Sequence, residues 1–536
     1  MSCDAPTEPL IRALQDANAW PHPVGDVAVI ETHISWVLLT GTFAYKIKKP
    51  VDFGFVDFTT LERRQFFCEE ELRLNRRLAP NLYLAVVPIT GTVDCAVVEG
   101  SGTLIEFAVK MRQFSQEMLL SRLIACDNLA AEHIDSLAEE VADFHSCIEV
   151  VNPDTSNLGT PAAILEPVEE NFRHLTRADD DLELRSMIDT LHEWSRHEFG
   201  ARQSNFHRRR HLGFVRECHG DMHLGNMILQ RREETDCANS TDSVLIFDGI
   251  EFNESFRWID VLSEVAFVVM DLQDRGRPDF GWRFLNGYLE QTGDYAGLSV
   301  LRFYLVYRAL VRAKVSMLRC AQNDVDEEER LTLDREFRQY IDLAKQYTES
   351  HPTPLIITHG FSGSGKSTGT QPVVEQSGAV RIRSDVERQR LFGGDVAAKT
   401  ATDIESGIYT SDRTGRTYDK LAELATAAVS AGFPAIVDAT FLQRSHRDQF
   451  RRLADRLGVE CIIADFQVTE SVLRERIVRR LQAGVDASEA DLSVLEHQLQ
   501  THDPIGDDEL PFVVTVECGD STAAELLNAV GRCSTR

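Results

Sequence analysis

A glycine-rich segment in the last third of the chain has the residue types and spacing for binding phosphate groups. Residues 360–367 read Gly-Phe-Ser-Gly-Ser-Gly-Lys-Ser and match the pattern Gly-x-x-x-x-Gly-Lys-[Ser/Thr] at every fixed position. Glycines let backbone N–H groups turn inward around phosphates, and the start of the following helix adds positive potential. We predict that Lys366 acts on the β- and γ-phosphates of ATP during catalysis and that the Ser367 hydroxyl ligates Mg²⁺. The predicted nucleotide-binding residues are Gly360, Ser362, Gly363, Ser364, Gly365, Lys366, Ser367 and Thr368.

Two carboxylates follow later predicted strands of the same region. Asp385 lies after the second strand, where it could accept the proton of an acceptor hydroxyl as a catalytic base. Arg388, one helical turn further on, could bind an anionic group of the acceptor substrate. The alternative is a surface charge cluster that caps a helix. Asp438 ends the next apolar strand, at the edge where ligands bind in open α/β sheets, and is predicted to hold Mg²⁺, with an N-cap role as its alternative.

Four arginines cluster on one predicted helix near the end of this region: Arg474, Arg476, Arg479 and Arg480. The spacing i,i+4 puts Arg476 and Arg480 on the same face of that helix. We predict that these two form a catalytic lid that neutralises charge on the transferring phosphoryl group. A solvated basic face is the alternative.

A second group of residues in the first half of the chain also fits phosphoryl transfer. His219-Gly220-Asp221 is followed by Asn226, five residues after the aspartate, and Asp248 lies at the end of a later predicted strand. In this interpretation Asp221 orients or deprotonates an acceptor hydroxyl, and Asn226 and Asp248 hold Mg²⁺. The alternative is a loop without catalytic function.

A predicted strand near the N-terminus carries two lysines that lie on the same side of it, Lys46 and Lys48. Either one could contact the α- and β-phosphates of a nucleotide. For Lys48, a solvated basic strand end is the favoured interpretation. No glycine-rich loop lies between the first two strands, and Ser35, which occupies that place, is predicted to offer a hydroxyl to a phosphate.

The elements that must position these residues fall into two regions. Paired prolines near residue 352 separate a charged helix from a buried strand, which predicts domains at 1–350 and 351–536. The second region alternates short apolar runs with helices and so predicts a parallel sheet. The predicted strands are 355–358, 380–382, 435–437, 461–465 and 512–516. The predicted helices are 367–376, 418–431, 444–457 and 469–483.

The first region has a different pattern. Strands are predicted over 27–48, a helix over 61–78, a hairpin near 227–247 and mostly helices over 258–347. A small β-rich lobe, about 1–115, would therefore precede a helical lobe, about 116–350. That layout is typical of kinase-like folds.

Composition limits the classes of partner. The chain has 536 residues and a formal net charge of −29, which disfavours nucleic acid and anionic membranes as partners. Its 11 cysteines include no Cys-x-x-Cys pair, as expected for reduced thiols in a cytoplasmic protein. No run of about 18 apolar residues predicts a membrane span. The oligomeric state stays open.

The motifs of both regions resemble known kinase families. Residues 354–536 resemble the zeta-toxin, gluconate-kinase and polynucleotide-kinase group of P-loop kinases, and this resemblance implies Asp385 as general base. The loop from His219 to Asn226, with Asp248, resembles the aminoglycoside-phosphotransferase family. Residues 1–350 as a whole resemble the branch of that family fused to a P-loop kinase. This second resemblance implies that Glu71 pairs with the strand lysine and that Arg257 and Asp260 brace the catalytic loop.

We therefore predict a mixed α/β and α+β protein with a bilobal kinase-like domain and a three-layer P-loop domain. The predicted function is ATP- and Mg²⁺-dependent phosphorylation of hydroxyl groups on small molecules, in the sugar, amino sugar or nucleoside class, at two sites. One alternative is a P-loop kinase with a regulatory or substrate-presenting N-terminal domain. A further alternative is an ATPase switch that binds a macromolecular partner.

Overall fold

The computed structural model describes residues 8–54, 56–175, 181–230, 242–322, 325–396, 411–483, 491–517 and 522–533. Their contacts divide the chain into two compact units. Unit 1 comprises Met1–Glu170 and Phe206–Asp271, and unit 2 comprises Asn171–Asn205 and Leu272–Arg536. Among the described residues, no helix is both long and apolar enough to cross a membrane.

Unit 1 begins with an antiparallel six-stranded sheet. Its elements in chain order are α1 Glu8–Ala13, β1 Ala28–Glu31, β2 Ser35–Leu39, β3 Phe43–Lys48, α2 Leu61–Asn75, β4 Tyr83–Thr92, β5 Cys95–Val98 and β6 Leu104–Arg112. The strand order is β1-β2-β3-β6-β4-β5. Thr60 starts α2, because its hydroxyl accepts a hydrogen bond from the backbone N–H of Arg63. The predicted strands over 27–48 and the predicted helix from Leu61 are confirmed.

Helices and two short hairpin-like sheets follow. They are α3 Leu120–Ala125, α4 Ala131–Cys147, α5 Pro161–Leu175, α6 Leu182–His211, β7 Val215–Glu217, β8 Met227–Gln230, β9 Ser243–Ile246, α7 Glu254–Arg257, β10 Trp258–Asp260 and α8 Val261–Asp274. Strand β7 pairs with β10, and β8 pairs antiparallel with β9, which confirms the predicted hairpin. Helices α5, α6 and α8 each contribute residues to both units.

The C-terminal part of unit 2 contains a five-stranded parallel sheet with helices between its strands. After α9 Pro278–Thr292, α10 Leu298–Cys320 and α11 Glu327–Thr348 come β11 Leu355–His359, α12 Lys366–Ser377, β12 Val380–Arg383, α13 Ser384–Val396, α14 Ser411–Ser430, β13 Ala435–Asp438, α15 Arg444–Leu457, β14 Cys461–Gln467, α16 Glu470–Ala483, α17 Leu492–Thr501, β15 Val513–Glu517 and α18 Thr522–Cys533. The strand order is β12-β13-β11-β14-β15.

The five strands predicted from apolar runs are all present, and their pairing is parallel throughout. Strands β11 and β13 are buried almost completely, as expected for the centre of a sheet covered on both faces. The mixed α/β fold class is therefore confirmed. The compact units do not follow the boundary predicted at 351, because helices from 272 onward group with the parallel sheet.

Candidate active sites

The phosphate loop of unit 2 connects β11 to α12 and has a conformation that requires glycine. Gly360, Gly363 and Gly365 have φ values of +146°, +84° and +88°, a region that residues with a Cβ rarely adopt. A Cβ on Gly360 would lie 2.8 Å from the Ser364 hydroxyl oxygen. The loop thus depends on its glycines for its shape, as the sequence pattern predicts.

The residues expected around the nucleotide phosphates and the metal lie close together. Lys366 Nζ donates to the carbonyl oxygens of Gly360 (3.0 Å) and Phe361 (2.9 Å). The Ser367 hydroxyl donates to Asp438 Oδ2 over 2.6 Å, because β13 ends beside the first turn of α12. A hydroxyl and a carboxylate oxygen fit Mg²⁺, which prefers oxygen ligands. Thr368 lines the same cavity.

The acceptor-side residues open into that same cavity, whose volume is about 380 Å³. Asp385 and Arg388 lie one turn apart on α13, with Arg388 Nη1 3.3 Å from Asp385 Oδ1. Arg383, the last residue of β12, also lines the cavity. The structure therefore brings Lys366 and Asp385 to one site.

The arginines of α16 do not act as one cluster. Arg476 reaches the phosphate loop, and its Nη1 lies 3.3 Å from the carbonyl oxygen of Ser364. In contrast, Arg474 pairs with Glu470 and Glu496, and Arg479 pairs with Glu475. The side chain of Arg480 lies outside the described residues. Within the part of α16 that is described, the basic-face interpretation holds for Arg474 and Arg479, whereas Arg476 lies where a phosphate-directed cation would be needed.

Three contacts around the loop, two of them polar and one between stacked rings, were not predicted from the sequence. Gln498 of α17 accepts from the Ser362 N–H and donates to its hydroxyl, both over 3.0 Å. His359 lies 2.6 Å from Asp465 on the neighbouring strand. Burial opposes ionisation of Asp465, but hydrogen bonds from His359 and Gln467, together with nearby positive charge, outweigh it and lower the pKa of the carboxyl. The rings of Tyr418 and His446 stack beside the acceptor side, with centroids 3.7 Å apart.

The strand lysines of unit 1 form a buried charge cluster with carboxylates from two other segments. Lys46 Nζ lies 2.9 Å from Glu71 Oε1 and 2.5 Å from Asp248 Oδ1. Lys48 Nζ lies 2.7 Å from Glu71 Oε2 and contacts the Glu251 carboxylate. The side chain of Lys48 is only 1% exposed, so its interpretation as a solvated strand end is wrong. The geometry places Glu71 between the two lysines.

The opposite charges determine the protonation of this cluster. Burial alone would lower the pKa of Lys46, but Asp248 and Glu71 outweigh it and raise that pKa well above its usual value. Burial opposes ionisation of Glu71, yet both lysines lower its pKa to about 2. Burial raises the pKa of Glu251, which Lys48 only partly offsets. The cluster is thus built around an ionised Glu71 and two protonated lysines.

A buried glutamate holds the loop that carries Asp221. Glu264 at the start of α8 accepts hydrogen bonds from the backbone N–H groups of His219 (3.1 Å) and Gly220 (2.6 Å). His145 Nε2 lies 3.0 Å from the same carboxylate. His145, Glu264 and Cys218 could together hold a metal ion, but the contacts described for Glu264 already make it a brace of this loop. The sequence motif does not include Glu264, which lies 45 residues beyond His219.

The predicted metal ligands of unit 1 lie at adjoining ends of two paired strands, β8 and β9. Asn226 precedes β8, and its carbonyl oxygen accepts from the N–H of Phe247, the residue before Asp248. The Asn226 amide donates to Asp221 Oδ2 over 3.2 Å. Asp248 has a φ of +63°, and its N–H donates to the Tyr83 hydroxyl. An amide and a carboxylate at adjoining strand ends fit a Mg²⁺ site.

The remaining predicted residues have other surroundings. Ser35 is 1% exposed, and its hydroxyl lies 2.9 Å from that of Thr32, so a phosphate contact would require opening this pair. Arg257 lies 3.2 Å from Glu217, just before the Asp221 loop. Asp260 pairs with Arg209 over 2.7 Å. The latter two contacts are of the kind expected for residues that brace the loop.

The sequence of residues 355–505 matches the AAA domain family AAA_33. The uncharacterized protein Rv2004c of Mycobacterium tuberculosis (strain H37Rv) is 29% identical over 478 residues, which cover 88% of this chain and 91% of the relative. The uncharacterized protein Mb2027c of Mycobacterium bovis matches with the same identity and coverage. The family match and the parallel sheet confirm the P-loop domain.

Three solved structures are similar to parts of the chain. A gluconokinase from Sinorhizobium meliloti 1021 is 23% identical, with 35% of this chain and 96% of that chain covered and a TM-score of 0.26. Amicoumacin kinase hAmiN, in complex with AMP-PNP, Ca²⁺ and Ami, is 10% identical, with 63% and 94% covered and a TM-score of 0.38. A putative aminoglycoside phosphotransferase from Ralstonia eutropha is 13% identical, with 64% and 98% covered and a TM-score of 0.38.

Proposed function

We propose that this chain is a bifunctional ATP- and Mg²⁺-dependent kinase that phosphorylates hydroxyl groups on small molecules at two separate active sites. The observation that carries the proposal is that Lys366, Ser367, Asp438 and Asp385 line one and the same cavity of unit 2. Phosphoryl transfer needs phosphate anchoring, metal ligands and a base within reach of one another. A cavity that combines all three supports a kinase better than a nucleotide switch, which needs a positioned water instead of an acceptor pocket.

In the unit 2 site, each residue has a proposed role that follows from its position. Lys366 and Arg476 stabilise negative charge on the β- and γ-phosphates. Ser367 and Asp438 would hold Mg²⁺, which would neutralise charge on the phosphates when bound. Asp385 takes the proton of the acceptor hydroxyl. The hydroxyl oxygen of the acceptor bonds to the γ-phosphorus while the bond between that phosphorus and the β–γ bridging oxygen breaks. ADP leaves, and the proton stays on Asp385 until it is released to solvent.

The acceptor of the unit 2 site is proposed to be a sugar, amino sugar or nucleoside that carries an anionic group. Arg383 and Arg388 both line the cavity on the side of Asp385. Guanidinium groups bind carboxylates and phosphates in two-pronged geometry, so they favour such an acceptor over a neutral one. The similarity to a gluconokinase agrees with an acceptor of this kind.

In the unit 1 site, the proposed base is Asp221 and the proposed Mg²⁺ ligands are Asn226 and Asp248. We assign the phosphate contact to Lys46 rather than to Lys48. Lys46 adjoins Asp248, whose side chain is 45% exposed, whereas Lys48 is enclosed by Glu71 and Glu251. Lys46 would exchange its contact with Asp248 for one with phosphate when Mg²⁺ and ATP bind. Lys48 would keep Glu71 in place.

An acceptor screen with γ-labelled ATP and Mg²⁺ tests the proposal. The panel holds sugars, sugar acids, amino sugars, aminoglycosides, nucleosides and 5′-hydroxyl oligonucleotides. The proteins are the wild type, Lys366→Ala and Asp221→Asn, with Lys345→Ala and Asp94→Asn as controls at exposed positions. We expect Lys366→Ala to lose one product by about 10²–10³-fold and Asp221→Asn to lose a different one by about 10²–10⁴-fold.

The pattern of losses distinguishes the alternatives. A single product that disappears only in Lys366→Ala would make unit 1 an accessory module. Loss of all products in either variant would contradict independent sites. ATP hydrolysis without any phosphorylated acceptor would support the nucleotide switch instead.

A further inference from the structure

One edge of the parallel sheet of unit 2 is covered by a helix that lies outside residues 355–505, the part of the chain that matches the AAA domain family. Strand β12 is the outermost strand on one side of the sheet, so one row of its backbone groups has no neighbouring strand. Helix α9 lies against that edge. Three residues spaced four apart, Trp282, Asn286 and Glu290, form the contacting face of α9.

Asn286 replaces a neighbouring strand at this edge. Its side-chain nitrogen donates to the carbonyl oxygen of Ala379 over 3.1 Å, and its side-chain oxygen accepts from the N–H of Arg381 over 2.8 Å. A side-chain amide that both donates and accepts reproduces the pairing that a β-strand would supply. Asn286 is 6% exposed, and losing this side chain would leave the carbonyl of Ala379, just before β12, and the N–H of Arg381, within β12, without these partners.

Glu290 continues the contact towards the acceptor side of the cavity. Its Oε1 lies 2.8 Å from Arg383 Nη1, and its backbone carbonyl accepts from Arg390 over 2.6 Å. Trp282 covers the other end of the edge, where a Cβ on Gly378 would lie 2.9 Å from the indole ring. The three contacts therefore span the segment from Gly378 to Arg390.

That segment contains the proposed acceptor-binding residues and also reaches the metal side of the cavity. Arg383, Asp385 and Arg388 all line the cavity. The side chain of Arg381 donates to the carbonyl oxygen of Ser367 over 2.8 Å. A displacement of β12 would move both the acceptor-side residues and the residue proposed to ligate Mg²⁺.

We propose that α9 is a functional part of the P-loop kinase, with Asn286 and Glu290 as positioning residues for its acceptor-binding segment 380–390. The contacts of α9 with this segment are seen in the structure, whereas the effect of the segment on acceptor binding rests on the proposed function. Residues 351–536 on their own would therefore lack the helix that contacts this segment.

Hydrogen exchange of the full-length chain tests the positioning. Asn286→Ala should increase the exchange rate of amides in residues 380–384 by about tenfold, because two hydrogen bonds at the strand edge are lost. Exchange in residues 461–467, on the other side of the sheet, should stay as in the wild type. Gln291→Ala, an exposed position of the same helix, is the matched control and should change neither region.

Steady-state kinetics test the effect on the acceptor with the compound that the screen identifies for the Lys366 site. Glu290→Gln should raise the KM for that acceptor by about tenfold, with the KM for ATP unchanged, because the charge that orients Arg383 is lost. Glu290→Asp should recover at least part of this loss, and the exposed control Glu328→Gln should have no effect.

Three results would overturn the inference. The first is unchanged exchange in residues 380–384 in Asn286→Ala. The second is an equal increase in residues 461–467, which would indicate general destabilisation. The third is an equal change in both KM values in Glu290→Gln. If no acceptor is found for the Lys366 site, the proposed function and the acceptor role of Glu290 fail together, and the exchange result still decides whether α9 positions β12.

Discussion

The two candidate sites hold their phosphate-directed cations in different ways. In unit 2, Lys366 rests on carbonyl oxygens of its own loop, and the loop shape comes from glycines within eight consecutive residues. In unit 1, Lys46 and Lys48 share the carboxylate of Glu71 and contact two further carboxylates about 200 residues later in the sequence. One site is local and depends on the backbone. The other is assembled from distant charges.

The difference has an energetic consequence. The main free-energy cost of folding a glycine-rich loop is the loss of conformational entropy, and this cost is the same whether or not a ligand binds. A buried group of charges carries a desolvation penalty that is offset only while every charge keeps its partner. We therefore expect removal of a single charge to lower the free energy of unfolding more in unit 1 than in unit 2. The activity of the unit 2 site should still be lost when one of its charges is removed.

The largest effect on stability is expected for Lys48→Met. Removing this cation leaves Glu71 and Glu251 buried with less compensation, which should cost about 3–5 kcal/mol of unfolding free energy. Lys46→Met is the matched variant and should cost less than half as much, because Asp248, one of its two partners, is partly exposed. Urea unfolding of both variants measures this difference. A larger loss for Lys46→Met would contradict the division of roles between the lysines.

A smaller effect is expected from acid. Burial opposes ionisation of Glu264, but the hydrogen bond from His145 and the backbone N–H groups outweigh it and lower its pKa to about 2, from an ordinary value near 4.5. A lowered carboxyl pKa stabilises the fold above pH 4.5, and this stabilisation, about 3 kcal/mol, is lost as the pH falls from 4.5 towards 2. Hydrogen exchange in helix α4 and the Asp221 loop, measured from pH 6 to pH 3, should show this loss.

The control for the acid effect is Glu264→Gln. This variant cannot lose a negative charge, so the pH dependence of exchange in these segments should be weaker than in the wild type. An identical pH dependence in the two proteins would show that other groups dominate. The pH dependence of hydrogen exchange in peptides from β11 and β13 is measured for comparison. It should be weaker than in unit 1, because the phosphate loop of unit 2 depends on glycines and not on buried charges.

The smallest effect is expected on α16. Arg476→Ala should lower the turnover of the Lys366 site by about tenfold, because a cation beside the phosphate loop is lost. Arg479→Ala removes the same charge from an exposed pair with Glu475 and should change turnover by less than about twofold. Equal effects of the two substitutions would mean that this helix acts only through its overall charge.

The accuracy of the sequence-based predictions follows the same division between local and distant contacts. The phosphate loop and the five parallel strands arise from short, continuous segments of sequence, and both were predicted correctly. The environment of Lys48 was predicted wrongly because its partner Glu251 lies 203 residues further along the chain. Glu264, Gln498 and Asn286 were missed for the same reason: each is an ordinary helix residue until its tertiary contact is known.

The interleaving of the two units along the chain constrains the order in which they can form during synthesis. Unit 1 needs residues up to Asp271, and the earlier segment Asn171–Asn205 belongs to unit 2, whose remaining residues begin at Leu272. Domains commonly fold as units while the ribosome extends the chain, N-terminal domain first. Here the segment 171–205 is synthesised before unit 1 is complete, and the rest of its own unit is synthesised only afterwards. A gene cut anywhere between codons 171 and 271, or at codon 351, would divide at least one unit between two products.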